Sequence, residues 1–153
     1  PTSDYLGATI SEPNDCFAPV TRKAVMEKAS MSLAGRVSQE FVSKDWDFGA
    51  SSDLENATSI IRSMIIEMGM DNDIYTNISL YDYNSNGHNM SPAAVDKVND
   101  RISEIMKKVY DDTKKFLTKN KDKLDIIVNL LMKKGIISVQ EITEAFERNE
   151  MKV

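Results

Sequence analysis

Apolar residues recur at helical spacing through most of this chain, and short polar stretches between them mark the element boundaries. Met26, Ala29, Leu33, Val37 and Phe41 share one face of a segment that Thr21 can cap and that runs to about Val42. Leu54, Ala57, Ile61, Met64, Ile65 and Met68 form the stripe of a second helix, Ser52 to about Met70. Ile60 and Ile66 broaden that stripe enough to bury the helix on most sides. A third helix opens at Ser91-Pro92, where proline suits the first helical position, and runs to about Lys119. Its buried face is Val95, Val98, Ile102, Ile105, Met106, Val109, Phe116 and Leu117. Asn120 can cap a fourth helix holding Leu124, Ile127, Val128 and Leu131, ended by Lys133, Lys134 and Gly135. Ser138 and Glu141 have capping-box spacing ahead of a short helix with Val139, Ile142, Ala145 and Phe146.

Two stretches break the period. Tyr5-Leu6-Gly7-Ala8-Thr9-Ile10 is apolar, compact and followed by Pro13 and Asn14, which predicts a strand. Residues 71–90 are rich in Asn, Asp, Ser and Tyr and predict a long polar loop with a brief extended piece at 74–83. The expected fold is mainly α, a helical bundle with a short N-terminal strand. Its expected organisation is one domain over 1–153: an extended region 1–19, two core helices in 20–70, the loop 71–90 and C-terminal helices in 91–148. Leu33, Val37, Ile61, Met64, Ile65, Val98, Ile102, Val109, Leu124 and Leu131 are expected to be buried together.

A chain of 153 residues with 41% hydrophobic content is one ordinary globular domain. A net charge of −5 argues against a nucleic-acid partner, which calls for a basic face. Cys16 is the only cysteine, so no intrachain disulfide can form, and a reducing compartment is compatible. No apolar run approaches the roughly 20 residues of a spanning helix, and no signal peptide opens the chain.

The candidate chemistry centres on Asp53. Ser52 and Glu55 form an S-x-x-E pair, and Asp53 between them sits in the first helical turn, where the macrodipole favours negative charge. On spacing alone Asp53 reads as a dipole-complementing surface acid. Gly35 lies inside the first helix, where it costs up to about 1 kcal/mol relative to alanine, and a close helix–helix approach accounts for it. Arg62 is the one strong polar group within the apolar run of the second helix, a partner for an acid such as Glu40 or Asp45. His88, alone in YNSNGHNM, reads as a solvated loop histidine.

Taken together, these residues resemble the peptidase domain of the FtsH family, the membrane-anchored ATP-dependent zinc metalloproteases. The family's G-G-R-A-A-E-E-like run corresponds to Ala34-Gly35-Arg36-Val37-Ser38-Gln39-Glu40, and its T-G-A-S-N-D-L to Phe48-Gly49-Ala50-Ser51-Ser52-Asp53-Leu54. Its A-T-x-I-A-R-x-M-V-x-x-x-G-M corresponds to Ala57-Thr58-Ser59-Ile60-Ile61-Arg62-Ser63-Met64-Ile65 through Gly69-Met70. A looser resemblance continues through Asp96-Lys97-Val98, Val109-Tyr110-Asp111, Leu117, Asn120 and Leu124. The chain departs from the pattern at Ala34 for Gly, Ser38-Gln39 for Ala-Glu, Phe48 for Thr, and Gly135 for an acid.

The resemblance implies a zinc endopeptidase acting on unfolded or membrane proteins. Asp53 would then be the third zinc ligand beside two histidines of an H-E-x-x-H helix, and Arg62 a brace near the metal. Leu6, Gly7 and Ala8 would pair with an extended substrate. It also implies ATP and magnesium bound by a separate module, a homo-hexamer, and membrane association through another part of the protein. This sequence has neither H-E-x-x-H nor a G-x-x-x-x-G-K-[ST] phosphate loop. Two readings follow. The chain is a fragment of a longer protease, inactive alone and binding no cofactor by itself, or it is a non-catalytic pseudo-peptidase module for assembly or partner binding. The kept Asp of the GASxD motif favours the fragment.

Overall fold

In the computed structural model, residues 19–42, 51–74 and 92–150 are described. They form five helices: α1 (Arg22–Val42), α2 (Ser51–Ile66), α3 (Pro92–Lys119), α4 (Lys121–Lys134) and α5 (Val139–Glu150). The fold is mainly α, and more than half of the chain is helical. The expected strand at 5–10 lies outside the described residues, as do His88 and most of the polar stretch.

The helices start and stop for local reasons. Thr21 Oγ1 accepts from the Ala24 N–H at 3.2 Å, the cap its position predicts for α1. α2 begins one residue earlier than expected, at Ser51, which puts Ser52 inside the first turn instead of at its mouth. No Ser52–Glu55 pairing forms there. α2 also stops at Ile66, short of Met70. The Met68 N–H donates to Ser63 O at 3.0 Å and the Met70 N–H to Met64 O at 3.0 Å, so these longer-range bonds close the helix. Asn120 precedes α4 without a side-chain cap bond. Its amide turns back and donates to Phe116 O at 2.8 Å, tying off α3.

α1, α2 and α3 enclose the core. Ala29, Leu33, Val37, Ala57, Ile61, Met64 and Ile65 are fully inaccessible, with Ile66, Val98, Ile102, Ile105 and Val109 almost so. Arg22 at the start of α1 donates to Met70 O beyond the end of α2, at 2.9 Å. Gly35, further along α1, meets Asp53 in the first turn of α2. The two helices therefore run antiparallel.

Two parts of the expected core do not belong to it. Leu124 is half-buried and Leu131 is 46% exposed, because α4 buries none of its residues against the bundle. Phe116, placed on the buried face of α3 by its period, is 66% exposed. It lines an open groove with Met31 and Ala34 of α1 instead of entering the core. Leu54 and Met68, at the two ends of the α2 stripe, are likewise partly exposed.

An ion-pair clasp joins the end of α2 to α3. The Asp71 side chain is inaccessible and accepts from the Asp73 N–H at 3.0 Å and the Ile74 N–H at 3.1 Å, an Asx turn. Arg101 Nε reaches both Asp71 oxygens, at 3.1 and 3.0 Å, and its remaining nitrogens pair with Asp73 at 2.9 Å and Glu104 at 2.7 Å. Burial alone would raise the Asp71 pKa. The backbone N–H groups and the Arg101 guanidinium outweigh it and hold the carboxyl below its ordinary value.

Candidate metal-ligand site

Asp53 is the third residue of α2, half-buried, with its carboxylate set against the backbone of α1. A β-carbon built on Gly35 would lie 2.8 Å from Asp53 Oδ2 and 3.9 Å from its carboxyl carbon. The close approach expected at Gly35 is therefore an approach of one carboxylate, not of two helix backbones. An acid in a first turn is favoured by the helix dipole, and its carboxylate suits the single oxygen donor that zinc sites often include.

Beside it, an open groove of about 620 Å³ runs along α2, lined by Ser51, Leu54, Glu55, Thr58, Ser59 and Arg62, with Arg36 from α1. Arg62 leaves α2 nine residues after Asp53, which is about 13 Å along the helix axis and half a turn round it. It lines this groove across from Arg36 of α1. Glu40, one of the acids expected for Arg62, is engaged by Lys114 of α3 at 2.6 Å; Asp45 lies outside the described residues. Leu6, Gly7 and Ala8 also lie outside them. Among the described residues, no group of three or more His, Cys, Asp or Glu could hold a metal ion.

The comparisons with known proteins cover almost the whole chain. Residues 1–145 match the family model described as Peptidase family M41. The chain belongs to this peptidase family. It is 28% identical to the ATP-dependent zinc metalloprotease FtsH of Thermotoga maritima over 94% of its own length and 25% of that protein. With FtsH 2 of Alkaliphilus metalliredigens it shares 31% identity over 83% of its length and 20% of the relative. For the Bacillus subtilis FtsH the values are 26%, 86% and 22%. All three relatives are named as ATP-dependent zinc metalloproteases, and the M41 chain spans at most a quarter of each. Among its described residues no helix is long and apolar enough to cross a membrane.

The sequence reading missed the Asp71–Arg101 clasp. The available signal was the D-x-D-I run at Asp71 to Ile74, which fits an Asx turn, but its cation stands 30 positions further on.

Proposed function

We propose that this chain is the C-terminal part of the peptidase domain of an ATP-dependent zinc metalloendopeptidase, and that Asp53 is its contribution to the metal. The carrying observation is the Asp53 carboxylate, fixed in the first turn of α2 against the bare Cα of Gly35. One carboxylate fits one of the three protein positions of a catalytic zinc site. With a single histidine in the chain, His88, the two imidazoles of the family pattern must come from another part of the polypeptide. Zinc, when bound, polarises the scissile carbonyl and acidifies a water. The chain's own residues hold one donor oxygen in place and, at Leu6, Gly7 and Ala8, offer backbone for an extended substrate to pair with. Arg62, which lines the neighbouring groove, is on this reading the brace near the metal.

On this reading the complete protein takes unfolded or membrane proteins as substrates, binds ATP and magnesium in a separate module, and is membrane-associated through a part outside this chain. The apolar groove where Met31 and Ala34 of α1 face Phe116 and Leu117 of α3 supports assembly as a homo-hexamer. Met31 is 64% exposed there and Phe116 66%, an apolar pair that a neighbouring copy could cover. Light scattering across a concentration series should show association, and a strictly monomeric chain would count against it.

The deciding experiment is Asp53→Asn in the complete protein. Proteolysis should fall at least a hundredfold while ATP hydrolysis stays near its original rate, because the amide keeps the shape but is a poor neutral ligand. Undiminished proteolysis would return Asp53 to a helix-terminus acid. Absence of proteolysis in the unsubstituted complete protein would instead favour the non-catalytic assembly module, a reading supported by the open apolar residues Met132, Ile136 and Val139.

A further inference from the structure

We propose that Gly35 is a positioning residue for Asp53, and that the missing side chain at this one place on α1 sets where the carboxylate lies. The inference rests on the zinc reading above. Gly35 stands inside a 21-residue helix with ordinary helical backbone, so no turn or left-handed conformation calls for glycine. Helix propensity favours alanine at such a site. Space is the remaining reason, and among the described residues that space belongs to a single group. Of these residues, a β-carbon on Gly35 would meet within 4 Å only Asp53, at Oδ2 (2.8 Å) and Cγ (3.9 Å).

At 2.8 Å something has to give. What stands in the way is the tip of a side chain with two rotatable bonds, not backbone, so an added methyl would swing the carboxylate away and leave the helices where they are. The glycine therefore serves the acid and not the packing of α1 on α2. A metal ligand has to lie within a few tenths of an ångström of its place, so a displacement that the fold barely registers would be large for the site.

The test uses Gly35→Ala and Asp53→Asn in the complete protein, with zinc affinity from chelator competition, thermal unfolding, and a crystal structure of the alanine variant. Gly35→Ala should melt no lower than the parent, lose zinc affinity at least tenfold, and show the Asp53 carboxylate turned off α1. Unchanged zinc affinity, an unmoved carboxylate, or a melting temperature lower by several degrees would each overturn the proposal, the last by making Gly35 a packing glycine. If Asp53→Asn loses zinc while Gly35→Ala keeps it, only this inference fails. If Asp53→Asn itself keeps zinc, the metal reading fails as well.

Discussion

The three-helix body and the α4–α5 hairpin are written in the same helical period yet held together by different physics. In α1, α2 and α3 the apolar stripes meet one another, and a continuous set from Val25 to Val109 leaves water. In the hairpin the stripes have little to meet. Val128, Leu131, Met132, Ile136 and Val139 all stay substantially exposed. What shapes the hairpin is local and polar. Gly135, at φ 76°, gives its N–H to Leu131 O at 2.7 Å and ends α4. The Ser138 N–H reaches Glu141 Oε2 at 2.8 Å, and the Glu141 N–H returns to Ser138 Oγ at 3.3 Å, a complete capping box. Lys134 closes on Glu141, and Lys123 lies 5.3 Å from the Phe146 ring centroid across the pair. A periodic pattern predicts a face; whether that face is covered depends on a partner the pattern does not name.

The largest expected effect tests the body. Ile61→Ala empties a fully inaccessible site and should destabilise by about 2–5 kcal/mol in denaturant unfolding. Arg101→Met comes next. It strands the inaccessible Asp71 carboxylate and should cost about 1–3 kcal/mol, with amides around 71–74 losing exchange protection first. In the hairpin, Leu131→Ala should stay within about 0.5 kcal/mol, since the side chain is already wet. An equal loss at Ile61 and Leu131 would erase the contrast between the two regions.

The smallest effect is one of pH. The Lys134 ammonium, with the Ser138 N–H and hydroxyl, lowers the Glu141 carboxyl from 4.5 to about 2. Because the folded value is depressed, its contribution is complete above about pH 4.5 and disappears as the pH falls through about 2. The Asp71 carboxyl shifts in the same direction, so the clasp also weakens only below its ordinary 3.8. Glu141→Gln should remove the acid dependence of α5 helicity, read by residue-resolved NMR, and leave that of the clasp intact.

What could be read in the sequence follows the same division. The Thr21 cap, the α3 boundaries and the Ser138–Glu141 box are set by neighbours within a few positions, and all appear where the spacing puts them. Eight of the residues expected in the core, from Leu33 to Val109, are buried because they lie in the body. Leu124 and Leu131 carry an equally good pattern and failed because α4 packs too loosely to bury any of its own residues. Ser52 lost its box to a one-residue shift in the start of α2. At the candidate site the acid and the glycine were each visible, but their contact was not. It joins Gly35 to Asp53 across two helices, and only their antiparallel packing makes it.

The clasp around Asp71 also bears on chain length. It pins the polypeptide as it leaves α2, with Ile74 tucked in at 6% exposure, while Pro92 begins a helix whose position the core already sets. Both ends of residues 75–91 are thus anchored independently of what joins them. Doubling the length of that connection should cost only about 0.6 kcal/mol of closure entropy.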